Sequence, residues 1–389
     1  ELYFSVDTTN AHTVVENQTI DPIGFQGPFQ NGTTCWSVSP ALPGNLSIDS
    51  STGEITGSVN GTLTNTTYTV TANHGCTGSG TGGGSGTVTT NGNGTTWQVA
   101  DIWSGSGVSQ TGQYMSILVG DTLYFDATDG SSGKELWAHD TSNASTWQVA
   151  DIRSGSASSI PGQFILELVG DTLYFSANDG SSGNELWAHD TSNASTWRVA
   201  DINSGASSSS PGQYMQILVG DTLYFDATGS SGGHELWAHD TSNASTWQVA
   251  DILSGSAGSA PGKEGMATLV GDTLYFSANG GSGSGRELWA HDTSNDSTWL
   301  VADINSGWNS NSNPGQSMEI LVGDTIYFNA DDGNSGNELW AHDTSNASTW
   351  QVAEINSGSS SSYPGQHMEL LVGDTLYFDA NDGSSGNEL

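Results

Sequence analysis

The sequence predicts an all-β chain: a small N-terminal β-sandwich followed by a six-bladed β-propeller of four-stranded repeats, each about 50 residues long. Three observations predict it. Residues 97–389 repeat one module six times, aligned on Trp97, Trp147, Trp197, Trp247, Trp299 and Trp350, at spacings of 50, 50, 50, 52 and 51 residues. Each full module holds four short apolar runs separated by turn chemistry. No segment keeps a 3.6-residue apolar period over ten residues, so no helix of note is expected.

In the first full module the strands are predicted at Tyr114 to Val119, Thr122 to Ala127, Glu135 to Asp140 and Trp147 to Ile152. Gly120-Asp121 is a two-residue hairpin turn. Asp129-Gly130-Ser131-Ser132-Gly133 turns between the second and third strands, and Thr141 to Ser145 between the third and fourth. A longer loop, with Pro-Gly in most copies (Pro161-Gly162, Pro211-Gly212), leads to the next module. A linear β-solenoid is the competing architecture, but its turns are shorter and lack hairpin signals.

The array does not close neatly. It opens with a lone fourth strand at Trp97 to Ile102 and stops at Glu388-Leu389, where a third strand has barely begun. Trp97, Val99 and Ile102 are expected to supply the fourth strand of the sixth blade, beside Met368, Leu370, Val372, Leu376, Tyr377 and Phe378. The third strand is then missing. The N-terminal run Glu1-Leu2-Tyr3-Phe4-Ser5-Val6-Asp7, continuing to Ala11, reads as a diverged copy of Glu135 to Ala144 with one extra residue. Residues 1–11 are therefore a candidate donor strand for the incomplete blade of a neighbouring copy, a head-to-tail contact of the kind that builds filaments. The alternatives are a fragment of a longer array, and insertion of the segment within its own chain.

Residues 12–80 alternate apolar and polar residues in short runs broken by Pro, Gly, Asn and Ser, the pattern of a small sandwich. Residues 81–96 form a glycine-rich linker that can bury almost nothing. Cys35 and Cys76 have no His/Cys cluster near them, so a disulfide is favoured over a metal site. Such a loop would contribute about 3–4 kcal/mol. Asn-x-Ser/Thr sequons occur at Asn17, Asn31, Asn45, Asn60, Asn65, Asn93, Asn143, Asn193, Asn243, Asn295 and Asn346. A chain beginning at Glu1 reads as processed or excised. Cysteine pairing, sequons and scarce lysine together point to the outside of a cell.

Charge excludes several partners. The chain carries 42 acidic residues against five basic ones, a formal net charge of −37, which repels nucleic acid and anionic lipid and suits a saline medium. No apolar run is long enough to span a membrane as a helix.

Catalytic chemistry is weighed against simple repetition. His139-Asp140 recurs in every full module (His189, His239, His291 and His342), but strand neighbours point to opposite faces and the pair cannot share a small ligand. The Asp129 turn resembles calcium loops in composition, yet one copy, Gly229 to Gly233, lacks the aspartate and none supplies the six to eight oxygens calcium takes. No cofactor is expected, calcium being the one candidate. The acids Asp101, Asp151, Asp201, Asp251, Asp303 and Glu354 end the fourth strand and are candidate turn caps. Arg153, Arg198 and Arg286 occupy unrelated repeat positions and cannot form the arginine cluster of a sialidase.

Two resemblances sharpen the reading. The piece PALPGNLSIDSSTGEITGSV with TYTVTA resembles the Ig-like domains of microbial surface proteins, which implies a spacer or adhesion sandwich without a catalytic centre. The ELW-x-x-D…V-x-D-I…G repeat resembles tandem ELWxSDGT-type repeats of large secreted proteins from marine bacteria and archaea, with DTSNAST standing where that pattern has DGT. It implies an extracellular surface and no common reaction. The expectation is a non-enzymatic extracellular structural glycoprotein, a cell-surface filament subunit partnering itself. The alternative is a carbohydrate-binding adhesin using Tyr114, Phe164, Tyr214 and Trp308; a polysaccharide hydrolase is less favoured.

Overall fold

A computed structural model describes residues 98–389 apart from Glu264 and Ser282, together with the backbone of six short N-terminal strands. The chain divides into two compact units. One is Glu1–Asp101 with Leu118–Leu123 and Asp140–Ala144; the other is Ile102–Ile117, Tyr124–His139 and Ser145–Leu389.

In the N-terminal unit, Leu2–Phe4 pairs antiparallel with His12–Val14, Thr34–Ser39 with Thr69–His74, and Ser47–Ile48 with Ile55–Thr56. Cys35 lies on the strand Thr34–Ser39. Cys76, the pairing of the two cysteines, the packing of a sandwich and the linker all fall outside the described residues.

The described repeats are all strand and turn, with no helix among them. Five modules each form a four-stranded antiparallel sheet in sequence order, the pattern of a propeller blade. In module two the strands are Leu166–Val169, Thr172–Asn178, Asn184–Asp190 and Ser195–Ala200. Each fourth strand begins two residues earlier than the sequence suggests, at Ser145 in module one, because the Asp-Thr-Ser-Asn turn before it is tighter than expected. Val169 pairs with Thr172 across Gly170-Asp171, and Gly170 takes φ +59°, the left-handed conformation that a type II′ hairpin requires at its first turn position. Register shifts between Leu186 and Trp187, where a bulge twists the outer strand.

The second strand, Thr-Leu-Tyr-Phe-Ser-Ala-Asn in module two, is buried along almost its whole length. A half-buried strand would alternate; a strand covered on both faces need not. The cover comes from stacking. Tyr174, Leu186 and Ala188 on one face of module two pack against Leu223, Phe225 and Ala227 on the opposite face of module three. The same interface joins modules three and four, and four and five.

One expectation is corrected. Gln98–Ile102 form no strand, so the fourth strand assigned to Trp97, Val99 and Ile102 is not present there; Val99 is exposed and Trp97 lies outside the described residues. The last module, read from the sequence as incomplete, holds four short strands. Glu369–Val372 pairs with Thr375–Phe378, and Ala380–Asn381 with Asn387–Glu388, as two separate two-stranded pieces.

Candidate assembly surface

Each sheet presents two unlike faces. The forward face carries Met215, Tyr224, Leu236 and Ala238 in module three, and the next module's Leu274, Phe276 and Ala278 cover it. In the last module the forward positions are bare: Met368 is 39% exposed, Leu370 55%, Val372 56% and Tyr377 43%. Beside them lies a cavity of about 590 Å³ lined by Ile355, Leu376, Tyr377, Phe378, Ala380 and Leu389, with Asp382, Ser385 and Glu388 at its polar side. Leu370 and Val372 pair through Glu369–Val372 with Leu376, Tyr377 and Phe378 of Thr375–Phe378, and Met368 precedes that hairpin.

Interior modules show what such a face receives. At the first strand, a side chain from the following module reaches back to the backbone. Gln216 Oε1 accepts the Leu166 N–H at 3.1 Å while Gln216 Nε2 donates to the Leu166 carbonyl at 2.9 Å. Glu319 Oε2 accepts the Ala267 N–H at 3.1 Å. Glu369 accepts the N–H of Glu319 in the same way. Burial pushes the Glu319 carboxyl up to about 7, and Glu369 nearby adds to it.

A second contact fixes the crossing from module to module. Glu185 is fully buried; its Oε2 accepts the Ile202 N–H at 2.8 Å and the Ser209 hydroxyl at 2.8 Å, and its Oε1 accepts the Ser209 N–H at 3.0 Å. Glu135, Glu235, Glu287 and Glu338 do the same for Ser159, Ser259, Ser312 and Ser362. Burial pushes Glu135, Glu185 and Glu287 up to about 7 against the pull of these donors. Glu388, their counterpart in the last module, is exposed. Sequence reasoning missed this clamp, although a signal existed: a serine stands two residues before each Pro-Gly, 24 or 25 residues after each glutamate.

The histidines are structural in geometry. His189 Nδ1 lies 2.8 Å from Thr196 Oγ1, and its ring sits 5.3 Å from Tyr124 of the preceding module. His239, His291 and His342 repeat both contacts. Burial holds these four below the usual histidine range. The paired aspartates point away into the turn, where Asp190 Oδ1 accepts the Ser192 N–H at 2.9 Å and hydroxyl at 2.6 Å.

The calcium-like turn is closed by its own donors. Asp129 Oδ1 accepts the N–H groups of Ser131 and Ser132 at 2.8 and 2.9 Å, which lower its carboxyl to about 2. Among the described residues no three His, Cys, Asp or Glu side chains are grouped to hold a metal ion. Arg198 pairs with Asp179 and Asp201 at 3.7 Å each, and Asp101, Asp151, Asp201, Asp251, Asp303 and Glu354 are exposed. Trp308 is 81% exposed and Tyr114 38%, while Phe164 and Tyr214 are half-buried. Glu1, Ser5, Val6 and Asp7 of the donor segment lie outside the described residues, as do Asn17, Asn31, Asn45, Asn60, Asn65 and Asn93. No helix among the described residues is long and apolar enough to cross a membrane.

No protein-family model matches the chain, and no curated protein does. Solved structures match at low identity. TolB from Acinetobacter baumannii is 14% identical with a TM-score of 0.32, covering 59% of this chain and 50% of its own. Dipeptidyl peptidase 4 of Porphyromonas gingivalis is 9% identical with a TM-score of 0.45, covering 70% and 42%. Oligopeptidase B from Leishmania major is 10% identical with a TM-score of 0.41, covering 71% and 38%. The chain spans half the length of these proteins or less, and likeness at this level carries no activity over to it.

Proposed function

We propose that this chain is an extracellular structural subunit that associates head to tail, its N-terminal strand entering the last module of a neighbouring copy. The bare forward face of that module carries the reading. In modules three and four the counterparts Met215, Ile217, Val219 and Tyr224, and Met266, Val270 and Tyr275, pack against the next sheet, and contiguous exposed apolar surface of this kind marks an interaction site. The occupant is the run Glu1 to Asp7: its residues follow the third-strand pattern, of which the last module holds Asn387–Glu388, and Leu2–Phe4 is extended and paired with His12–Val14. An extended strand can add to the edge of a sheet.

Electron microscopy of the chain beside a version lacking residues 1–11 tests the reading. Filaments from the first and single particles from the second are expected, and Leu370→Asp in the full chain abolishes the filaments as well. Single particles from both versions overturn it. The second reading, an adhesin that binds carbohydrate, has Trp308 in its favour, since a lone indole this exposed offers a stacking face. Glycan binding without polymerisation would favour it.

A further inference from the structure

The third-to-fourth-strand turns of modules two to five share one hydrogen-bond pattern around an asparagine. Asn193 Nδ2 donates to Asp190 Oδ2 at 2.6 Å, while Asn193 Oδ1 accepts the Ser195 N–H at 3.0 Å and the Ser195 hydroxyl at 2.5 Å. Asn243 and Asn346 repeat the set with Asp240 and Ser245, and with Asp343 and Ser348. Asn295 does so with Asp292 and Ser297, although Asp296 replaces the intervening alanine. All four asparagines are exposed.

Two donors on Oδ1 draw electron density from the carboxamide oxygen, and a carboxylate on one Nδ2 hydrogen polarises the nitrogen. The arrangement leaves the second Nδ2 hydrogen for exchange. Apart from Asn143, their module-one counterpart, which also donates to its turn aspartate, Asp140, every other asparagine from 98 to 389 lacks a hydroxyl residue two positions on, although asparagines are frequent in the loops at the opposite sheet end. The turns also share an edge. His239, His291 and His342, each next to its turn aspartate, lie 5.2 to 5.4 Å from Tyr174, Tyr224 and Tyr275 of the preceding module. Successive turns are therefore side by side.

We infer that Asn193, Asn243, Asn295 and Asn346 are N-glycan acceptors, forming a comb along one edge of the stacked sheets and leaving the long-loop edge bare. The inference rests on the extracellular reading above. In each transfer a bond forms between Nδ2 and the anomeric carbon of a lipid-phosphate-linked oligosaccharide. The bond from that carbon to the phosphate oxygen breaks, the lipid phosphate leaves, and the Nδ2 proton passes to a base of the transferase. The remaining N–H still reaches the turn aspartate, so the turn survives modification.

Peptide mass spectrometry of the chain recovered separately from inside and outside the cells that make it tests this. Glycan mass on all four asparagines is expected in the external material, with Ser195→Ala removing it from Asn193 and Ser195→Thr retaining it. Unmodified asparagines in external protein overturn the inference, leave the extracellular reading standing, and reduce the four residues to turn clamps. Chain found only inside the cells overturns both.

Discussion

Modules three and six carry nearly the same residues in their first two strands and live in different environments. Tyr224 is 5% exposed and Tyr377 43%; Met215 is 4% exposed and Met368 39%. Glu235 is buried against Ser259, whereas Glu388 faces solvent. Burial here belongs to the neighbour as much as to the residue. A single sheet of this sequence has two apolar faces and cannot cover either, so stability accumulates interface by interface, as in other repeat arrays.

The largest test of that contrast removes a buried ring. Tyr224→Ala should cost about 3 kcal/mol, as for other large-to-small core changes, while Tyr377→Ala should cost well under about 1 kcal/mol. Urea denaturation midpoints measure both, and equal losses would mean that the terminal face is covered after all. Next comes the crossing clamp. Glu235→Gln places an amide N–H against donors that need an acceptor, for an expected loss of about 1–3 kcal/mol. Glu388→Gln should leave the midpoint unchanged.

Acidity separates the buried groups by sign. His189, His239, His291 and His342 have lowered folded values, so their contribution is present above the ordinary histidine value of 6.5 and is lost as pH falls below it. Glu135, Glu185 and Glu287 have values raised to about 7. Their contribution is complete below the ordinary value of 4.5 and is lost as pH rises through 7. Replacing His239 with Gln should therefore shift the change in melting temperature on going from pH 6.5 to 5 toward stabilisation, the trend the glutamates set, without touching the change between pH 7 and 8. A proportional change in both windows would contradict the assignment.

The smallest expected effect lies in the loops. Ile160 precedes Pro161 at φ +51°, a conformation poorly suited to a β-branched residue. Ile160→Gly should raise stability by about 0.5–1 kcal/mol through relief of that strain. Thermal unfolding would read it.

Much of the repeat was legible because its turns are chemically explicit. Gly170-Asp171 and Asp190-Thr191-Ser192-Asn193 announce their strands from either side, and the Leu-Tyr-Phe run allows little but strand. The sites were harder to read because their partners are remote. Nothing local to Glu185 says that its carboxylate holds Ser209, and nothing in Leu166 says that Gln216 completes its hydrogen bonds. The same holds for the terminal strand assigned to Trp97, Val99 and Ile102: its residues copy a strand, yet Gln98–Ile102 form none.

The glycine of the Pro-Gly loop, one per junction, constrains how such a protein changes over generations. A side chain on Gly212 would come within 2.7 Å of Ile165 Cβ, on Gly262 within 2.5 Å of Met215 Cβ, and on Gly315 and Gly365 within 2.6 and 2.7 Å of Met266 and Met318 Cβ. The loop that enters each module is thus fitted to the residue at the start of the module before it, and the fit is the same at every junction. Recombination between copies that removes or adds one whole period restores a matching junction, whereas any other length sets a side chain where only hydrogen fits. Copy number is free to drift in whole modules, and natural variants of this gene should differ by steps of about 50 codons.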